Sequence, residues 1–212
     1  MDLEIARKFQ AHQEPGARVA NDKLGMWIFL ASEVIFFAVL ISAVVALSLR
    51  PESNWNSHQQ PYTEGAITLA TINTFILILS SVFVVSAIDA IQHSKQKTMV
   101  FWLLLTLAGG AAFLFNQSRE WRELSHVLQE AFEFAPFFAG AQQSIYAAAF
   151  YTVTGFHGAH VFIGVLLLLY VLMRALRGDF TPRKYNALEM FGLYWHFVDL
   201  VWIILFTILY LI

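Results

Sequence analysis

Residues 24–49 read Leu-Gly-Met-Trp-Ile-Phe-Leu-Ala-Ser-Glu-Val-Ile-Phe-Phe-Ala-Val-Leu-Ile-Ser-Ala-Val-Val-Ala-Leu-Ser-Leu, an apolar run in which Glu33 is the sole charge. A helix needs about 20 apolar residues to cross the hydrocarbon of a bilayer. The run has that length, and its Leu, Ile, Val and Phe are continuous rather than alternating, which argues for a spanning helix over a barrel strand. Four further runs share its character, so the reading is an all-α polytopic membrane protein of five transmembrane helices at about 24–49, 66–91, 99–117, 144–173 and 189–212, preceded by a polar tail over 1–23. The charge-free stretch from Phe134 to Met173 is too long for one span; Pro136 and Gly140 mark a connection before a helix that starts near Ser144.

Composition agrees with a bilayer. The 212 residues are 58% hydrophobic and 13% charged, with a mean hydropathy of +0.60, too little polar surface for a soluble globule of this length. The net charge of −2 and the lack of a basic patch argue against nucleic acid as a partner. With no cysteine there are no disulfides, thiolate metal sites or iron–sulfur ligands, so any metal would need His and carboxylates. Residues 1–23 lack the short apolar core of a removable signal peptide. Ten basic residues (Arg7, Lys8, Arg18, Lys23, Lys95, Lys97, Arg174, Arg177, Arg183, Lys184) fall on one side and three (Arg50, Arg119, Arg122) on the other. That asymmetry places the N-terminus in the cytoplasm and the C-terminus outside. The connections are too short for a separate catalytic domain, and no inverted repeat of the transporter kind is visible.

Polar residues inside the spans carry the information, because a charge at the bilayer centre costs roughly 3 kcal/mol or more unless paired or hydrated. Glu33, His157, His160 and Asp199 stand out. At about 1.5 Å rise per residue, Glu33 and Asp199 lie roughly 15 Å from the cytoplasmic ends of their spans and His160 roughly 20 Å, all near mid-depth on three different helices. On the fourth span His157, His160 and Gly164 share one face, while Gly155, Gly158 and Ala159 share another, small enough for a neighbouring helix to approach closely. On the fifth, Glu189, Gly192, His196 and Asp199 form a polar stripe that must face protein or trapped water. His157, His160 and His196 serve either as hydrogen-bonding groups between helices or as metal ligands; one Glu-x-x-His motif, Glu123 to His126, has di-iron spacing, but such a site needs two copies. Asp199 is either a structural partner for a His or Trp N–H or a proton carrier. Glu33, with no Lys or Arg in its span, is either hydrogen-bonded and neutral or functional. Most aromatic residues, including Trp27, Trp102 and Tyr210, read as interfacial belt or packing residues.

The strings Phe150-Tyr-Thr-Val-Thr-Gly-Phe-His-Gly-Ala-His-Val-Phe-Ile-Gly164 and Tyr194-Trp-His-Phe-Val-Asp-Leu-Val-Trp202 resemble the last two helices of subunit III of the haem-copper terminal oxidases, the cytochrome c and quinol oxidases. Ala31-Ser-Glu-Val-Ile-Phe-Phe37 resembles that family's glutamate-bearing helix, and Gln117-Ser-Arg-Glu-Trp121 its Gln-x-x-Glu-Trp/Tyr segment. The resemblance runs from about Leu24 to the end and is to the five-helix bacterial form; longer members have two helices before the glutamate-bearing one. It implies an accessory, non-catalytic subunit that packs on subunit I and supports proton uptake and durability in a proton-pumping oxidase of aerobic respiration. It also implies a bacterial cytoplasmic membrane, no cofactor in this chain, haem and copper in partner subunits I and II, and bound phospholipid. Glu33 matches the family's buried glutamate, His157, His160, His196 and Asp199 its signature polar residues, and Arg174 a lipid-headgroup contact. The alternatives are a subunit III homologue of a quinol oxidase or nitric oxide reductase and, in another class, a stand-alone proton or solute channel built on Glu33 and Asp199.

Overall fold

The computed structural model describes residues 15–49, 64–131 and 145–211. They form five helices: α1 Pro15–Ser48, α2 Glu64–Gln92, α3 Gln96–Ala131, α4 Ile145–Leu176 and α5 Asn186–Phe206, the last continued by a π-helical turn, Thr207–Leu211. Each contains a stretch long and apolar enough to span a membrane. The first 14 residues, the connection around Pro136 and Gly140 and the start near Ser144 lie outside the described residues.

Two helix boundaries differ from the charge pattern. Residues 15–23 are already helical, and α3 continues past Gln117 to Ala131, so Glu123–His126 lies on helical backbone and not in a loop. Hydropathy reports where a helix leaves the hydrocarbon, not where its backbone hydrogen bonds stop, and Glu, Arg and Gln are good helix formers in water. The short connections end in tight caps. After α2, Ser94 takes the left-handed conformation (φ 61°), Lys95 N–H donates to the Ala90 carbonyl at 2.8 Å and Ser94 N–H to Ile91 at 3.0 Å. After α4, Gly178 (φ 79°) repeats the arrangement, with Asp179 N–H on Arg174 and Gly178 N–H on Ala175. Both are Schellman motifs, which satisfy the last carbonyls and turn the chain back at once.

α5 is the most buried helix and α1 the least. The Trp195 ring is wedged between α3 and α4: a Cβ added at Gly110 or Gly164 would lie 2.8 Å from it. Its Nε1 donates to Ser80 Oγ of α2 at 2.9 Å, and two turns on Trp202 Nε1 donates to Thr74 Oγ1 at 3.0 Å. α5 is thus locked to α2 through two indole N–H groups that would otherwise be unsatisfied in an apolar interior. α2 and α3 add an amide pair, Asn116 Nδ2 to Asn73 Oδ1 at 2.7 Å. Outward faces keep large exposed apolar side chains, such as Ile28, Ile35 and Val39 on α1 and Phe115 on α3, a surface suited to lipid or to other subunits.

Candidate functional site

Among the described residues, α1 is joined to the bundle at mid-depth by one polar contact, His160 Nε2 to Glu33 Oε2 at 3.1 Å. Both side chains are mostly buried, 15% and 19% exposed, among Phe36, Phe37 and Phe156. The other ring nitrogen, Nδ1, lies 2.6 Å from the Phe156 carbonyl oxygen. A carbonyl only accepts, so Nδ1 carries a hydrogen, and the Nε2–Oε2 contact then needs one proton between its atoms. Whether that proton sits on the imidazole or on the carboxyl, the pair as a whole has no net charge. The carboxyl group of the first span thus has a hydrogen-bond partner on the fourth. Tyr194 donates its hydroxyl to the His160 carbonyl at 3.0 Å and stacks on Phe29, which ties the same point to α5.

His157, one turn earlier, is fully buried and faces α5. Its Nε2 donates to the Val198 carbonyl at 3.2 Å, and its ring packs against Trp202 at 4.9 Å and the edge of Phe113 at 5.5 Å. Nδ1 is then a bare acceptor, buried with no hydrogen bond. The neighbouring Asp199 faces Ser81 of α2, with His196 one turn before it on α5. The two histidines of α4 therefore serve different neighbours, His160 toward α1 and His157 toward α5. Among the described residues no three His, Asp or Glu side chains converge as a metal site would require.

The small face of α4 packs against side chains of α3. Gly158 lies under Gln117, where a Cβ would come 2.7 Å from Oε1, and Gly155 under Trp121, where a Cβ would come 3.2 Å from the ring. Gln117 Nε2 donates to the Thr154 carbonyl at 2.8 Å and Trp121 Nε1 to Thr154 Oγ1 at 3.2 Å, while the Tyr151 hydroxyl donates to the Trp121 carbonyl. Ala159 lies farther out, on the open groove that Leu114 and Phe162 border. Glu120 is 5% exposed and accepts from the Tyr210 hydroxyl at 2.7 Å, which pins the π-helical turn to α3. This outer seam is the part that residue-by-residue reading missed. The signal was present in Gln117, Glu120 and Trp121 at i, i+3 and i+4, one helix face.

At the opposite end, Arg174 lies against Tyr170 and Phe180, 5.8 and 5.1 Å from their centroids, and its Nε donates to Asp179 at 3.3 Å. It borders a cavity of about 420 Å³ between α1, α4 and α5, whose deeper wall is apolar (Met26, Leu167, Val171, Phe191). α1 is clamped over this cavity by Lys23–Glu189 at 2.9 Å and by Asn186 Nδ2 to Asp22 Oδ2 at 3.0 Å.

A family model described as cytochrome c oxidase subunit III matches residues 7–212. The chain is 38% identical to cytochrome c oxidase subunit 3 of Thermostichus vulcanus, covering 95% of this chain and 90% of that one. It is 30% identical to cytochrome c oxidase subunit 3 of Alkalihalophilus pseudofirmus, covering 99% and 96%. A probable cytochrome c oxidase subunit 3 of Rickettsia felis is 36% identical, with 94% of this chain but 72% of the longer relative aligned.

Proposed function

From the premise that this chain belongs to the cytochrome c oxidase subunit III family, we propose that it packs on subunit I of a proton-pumping oxidase in a bacterial cytoplasmic membrane, beside subunit II, and supports proton uptake and durability without a redox centre of its own. The observation that carries this reading is the neutral Glu33–His160 pair. It joins helices at mid-depth through a group able to hold a proton. In this reading Glu33 is the proton-related group, and His157, His160, His196 and Asp199 act as a buried polar network. Gly155, Gly158 and Ala159 form the packing face of α4. Arg174 takes the phosphate of a membrane phospholipid whose chains enter the apolar cavity behind it. A tagged form of the chain extracted in mild detergent should bring with it subunits that carry haem and copper, and should be colourless once separated from them. Metal that stays with the separated chain and disappears in a His157→Ala/His160→Ala variant would overturn the reading.

The proposal also fixes topology: the α2–α3 turn and the Arg174 end face the cytoplasm, and the Glu120–Tyr210 end faces outward. Because the chain has no native cysteine, a single thiol at the exposed turn, Lys95→Cys, gives a clean test. It should react with a membrane-impermeant maleimide only after the cells are opened. Labelling in intact cells would reverse the orientation.

A further inference from the structure

At the Glu120–Tyr210 end of the bundle, two oxidisable rings stand beside a proton acceptor. In a chain with no cysteine, indoles and phenols are the side chains that give up one electron most readily. The Tyr210 ring lies 6.4 Å from the Trp202 ring, centre to centre, within the range of direct aromatic contact. The Tyr210 hydroxyl donates to Glu120 Oε1 at 2.7 Å. All three side chains are buried, Trp202 at 1%, Glu120 at 5% and Tyr210 at 6% exposure. Phe150 and Phe206 pack on the phenol, at 6.0 and 5.5 Å, and Phe113 and His157 on the indole, at 4.7 and 4.9 Å. The indole N–H goes instead to Thr74 Oγ1 at 3.0 Å, and that hydroxyl gives its own hydrogen to the Ala70 carbonyl. An aliphatic hydroxyl is too weak a base to remove the indole proton, whereas a carboxylate can take the proton of an oxidised phenol.

We propose that Trp202, Tyr210 and Glu120 form a proton-coupled electron relay that repairs an oxidised Trp202. A one-electron oxidant of the oxygen-radical or ferryl class takes an electron from the indole, which keeps its N–H against Thr74 and becomes a radical cation. Tyr210 then gives an electron to that ring, while its O–H bond breaks and the proton passes along the existing hydrogen bond to Glu120 in its carboxylate form. Trp202 is restored, Tyr210 is a neutral phenoxyl radical and Glu120 a neutral acid. No charge is left on any of the three, which suits an interior where charge is costly. A small one-electron reductant of the ascorbate or quinol class returns Tyr210 to the phenol, with the proton coming back from Glu120. Tunnelling falls steeply with distance, so ring contact lets repair outrun the addition of oxygen that would destroy an indole locking α5 to α2. The relay gives the proposed durability a chemical content, and it rests on the oxidase reading only for the source of the oxidant.

The test is photoionisation of the indoles of the full chain in lipid nanodiscs by an ultraviolet laser pulse, which needs no added oxidant and reaches buried rings. Part of the indole-radical absorption should decay as a tyrosyl band rises. Tyr210→Phe and Trp202→Phe should each remove that phase, and Trp121→Phe should leave it. Glu120→Gln still accepts the phenol hydrogen but cannot take the proton, and should slow the phase by about a hundredfold, the low end of what a positioned base contributes. A phase untouched by Tyr210→Phe, or a native rate kept in Glu120→Gln, overturns the relay. Difluorotyrosine incorporated at position 210 keeps the ring and hydroxyl and should alter the radical's spectrum; an unaltered spectrum places the radical elsewhere and also overturns it. In the intact assembly treated with peroxide, Trp202 oxidation products read by peptide mass spectrometry should rise several-fold in Tyr210→Phe. Equal Trp202 oxidation in native and variant assemblies overturns the protective role. Failure of the oxidase reading shows separately, in the subunits that copurify.

Discussion

Replacing His160 by Leu should destabilise the subunit by roughly 3–5 kcal/mol, while replacing His160 and Glu33 together by Leu should cost far less. The single change leaves a carboxyl at mid-depth with its one partner removed, among Phe36, Phe37 and Phe156, where water cannot take over the lost hydrogen bond. The double change removes both polar groups and puts aliphatic side chains among those rings. His160→Leu also loses the intrahelical bond from Nδ1 to Phe156, but the carbonyl keeps its helical partner, so that loss is the smaller one. The comparison is a double-mutant cycle read by denaturant-induced release and unfolding of the subunit in defined lipid. Additive losses from Glu33→Leu and His160→Leu would show that the contact contributes nothing.

Trp195→Ala should cost a similar amount, about 3–5 kcal/mol. The ring is 1% exposed, fills the space between Gly110 and Gly164 and satisfies Ser80. Its removal leaves a cavity at the junction of α2, α3, α4 and α5 and a hydroxyl with one partner fewer. The two glycines give a sharper test. Gly164→Ala places a methyl group 2.8–2.9 Å from a rigid ring that has Gly110 on its other side, so neither wall can yield. In a Trp195→Leu background the same methyl group has room. Gly164→Ala should therefore lower thermal stability in the native background and be neutral or stabilising in the Leu background. Equal effects in both would mean that the indole does not set the helix spacing.

Five helices were legible in the sequence because a bilayer imposes one rule on every span, and each apolar run obeys it. Glu33, His157, His160 and Asp199 stand out in the sequence for the converse reason: they are polar where polarity is costly. Their partners do not. Glu33 and His160 are 127 residues apart, and helical periodicity fixes which face a residue occupies but not which helix that face meets. The Glu120–Tyr210 contact was hidden for another reason. Arg119, Glu120, Arg122 and Glu123 end the apolar run, so the segment read as a connection, and Tyr210 read as an interfacial aromatic. In the fold, α3 continues and turns Glu120 inward while Arg119 and Glu123 stay outside in an i, i+4 pair. Gly155 and Gly158 were legible as a close-packing face, but their occupants are the long side chains of Trp121 and Gln117 rather than a bare helix backbone.

The central claim is that this subunit serves a complex whose oxygen chemistry takes place elsewhere. Oxygen consumption by the purified assembly, followed over many turnovers with subunit content checked on a gel, tests it most directly. Gly158→Leu, which drives a side chain into Gln117, and the His160→Leu variant should leave the initial rate close to that of the native assembly. They should make activity decay faster as turnover proceeds and lower the amount of this subunit retained. Immediate loss of activity with the subunit still fully bound would contradict the account, because it would place this chain in the chemistry itself.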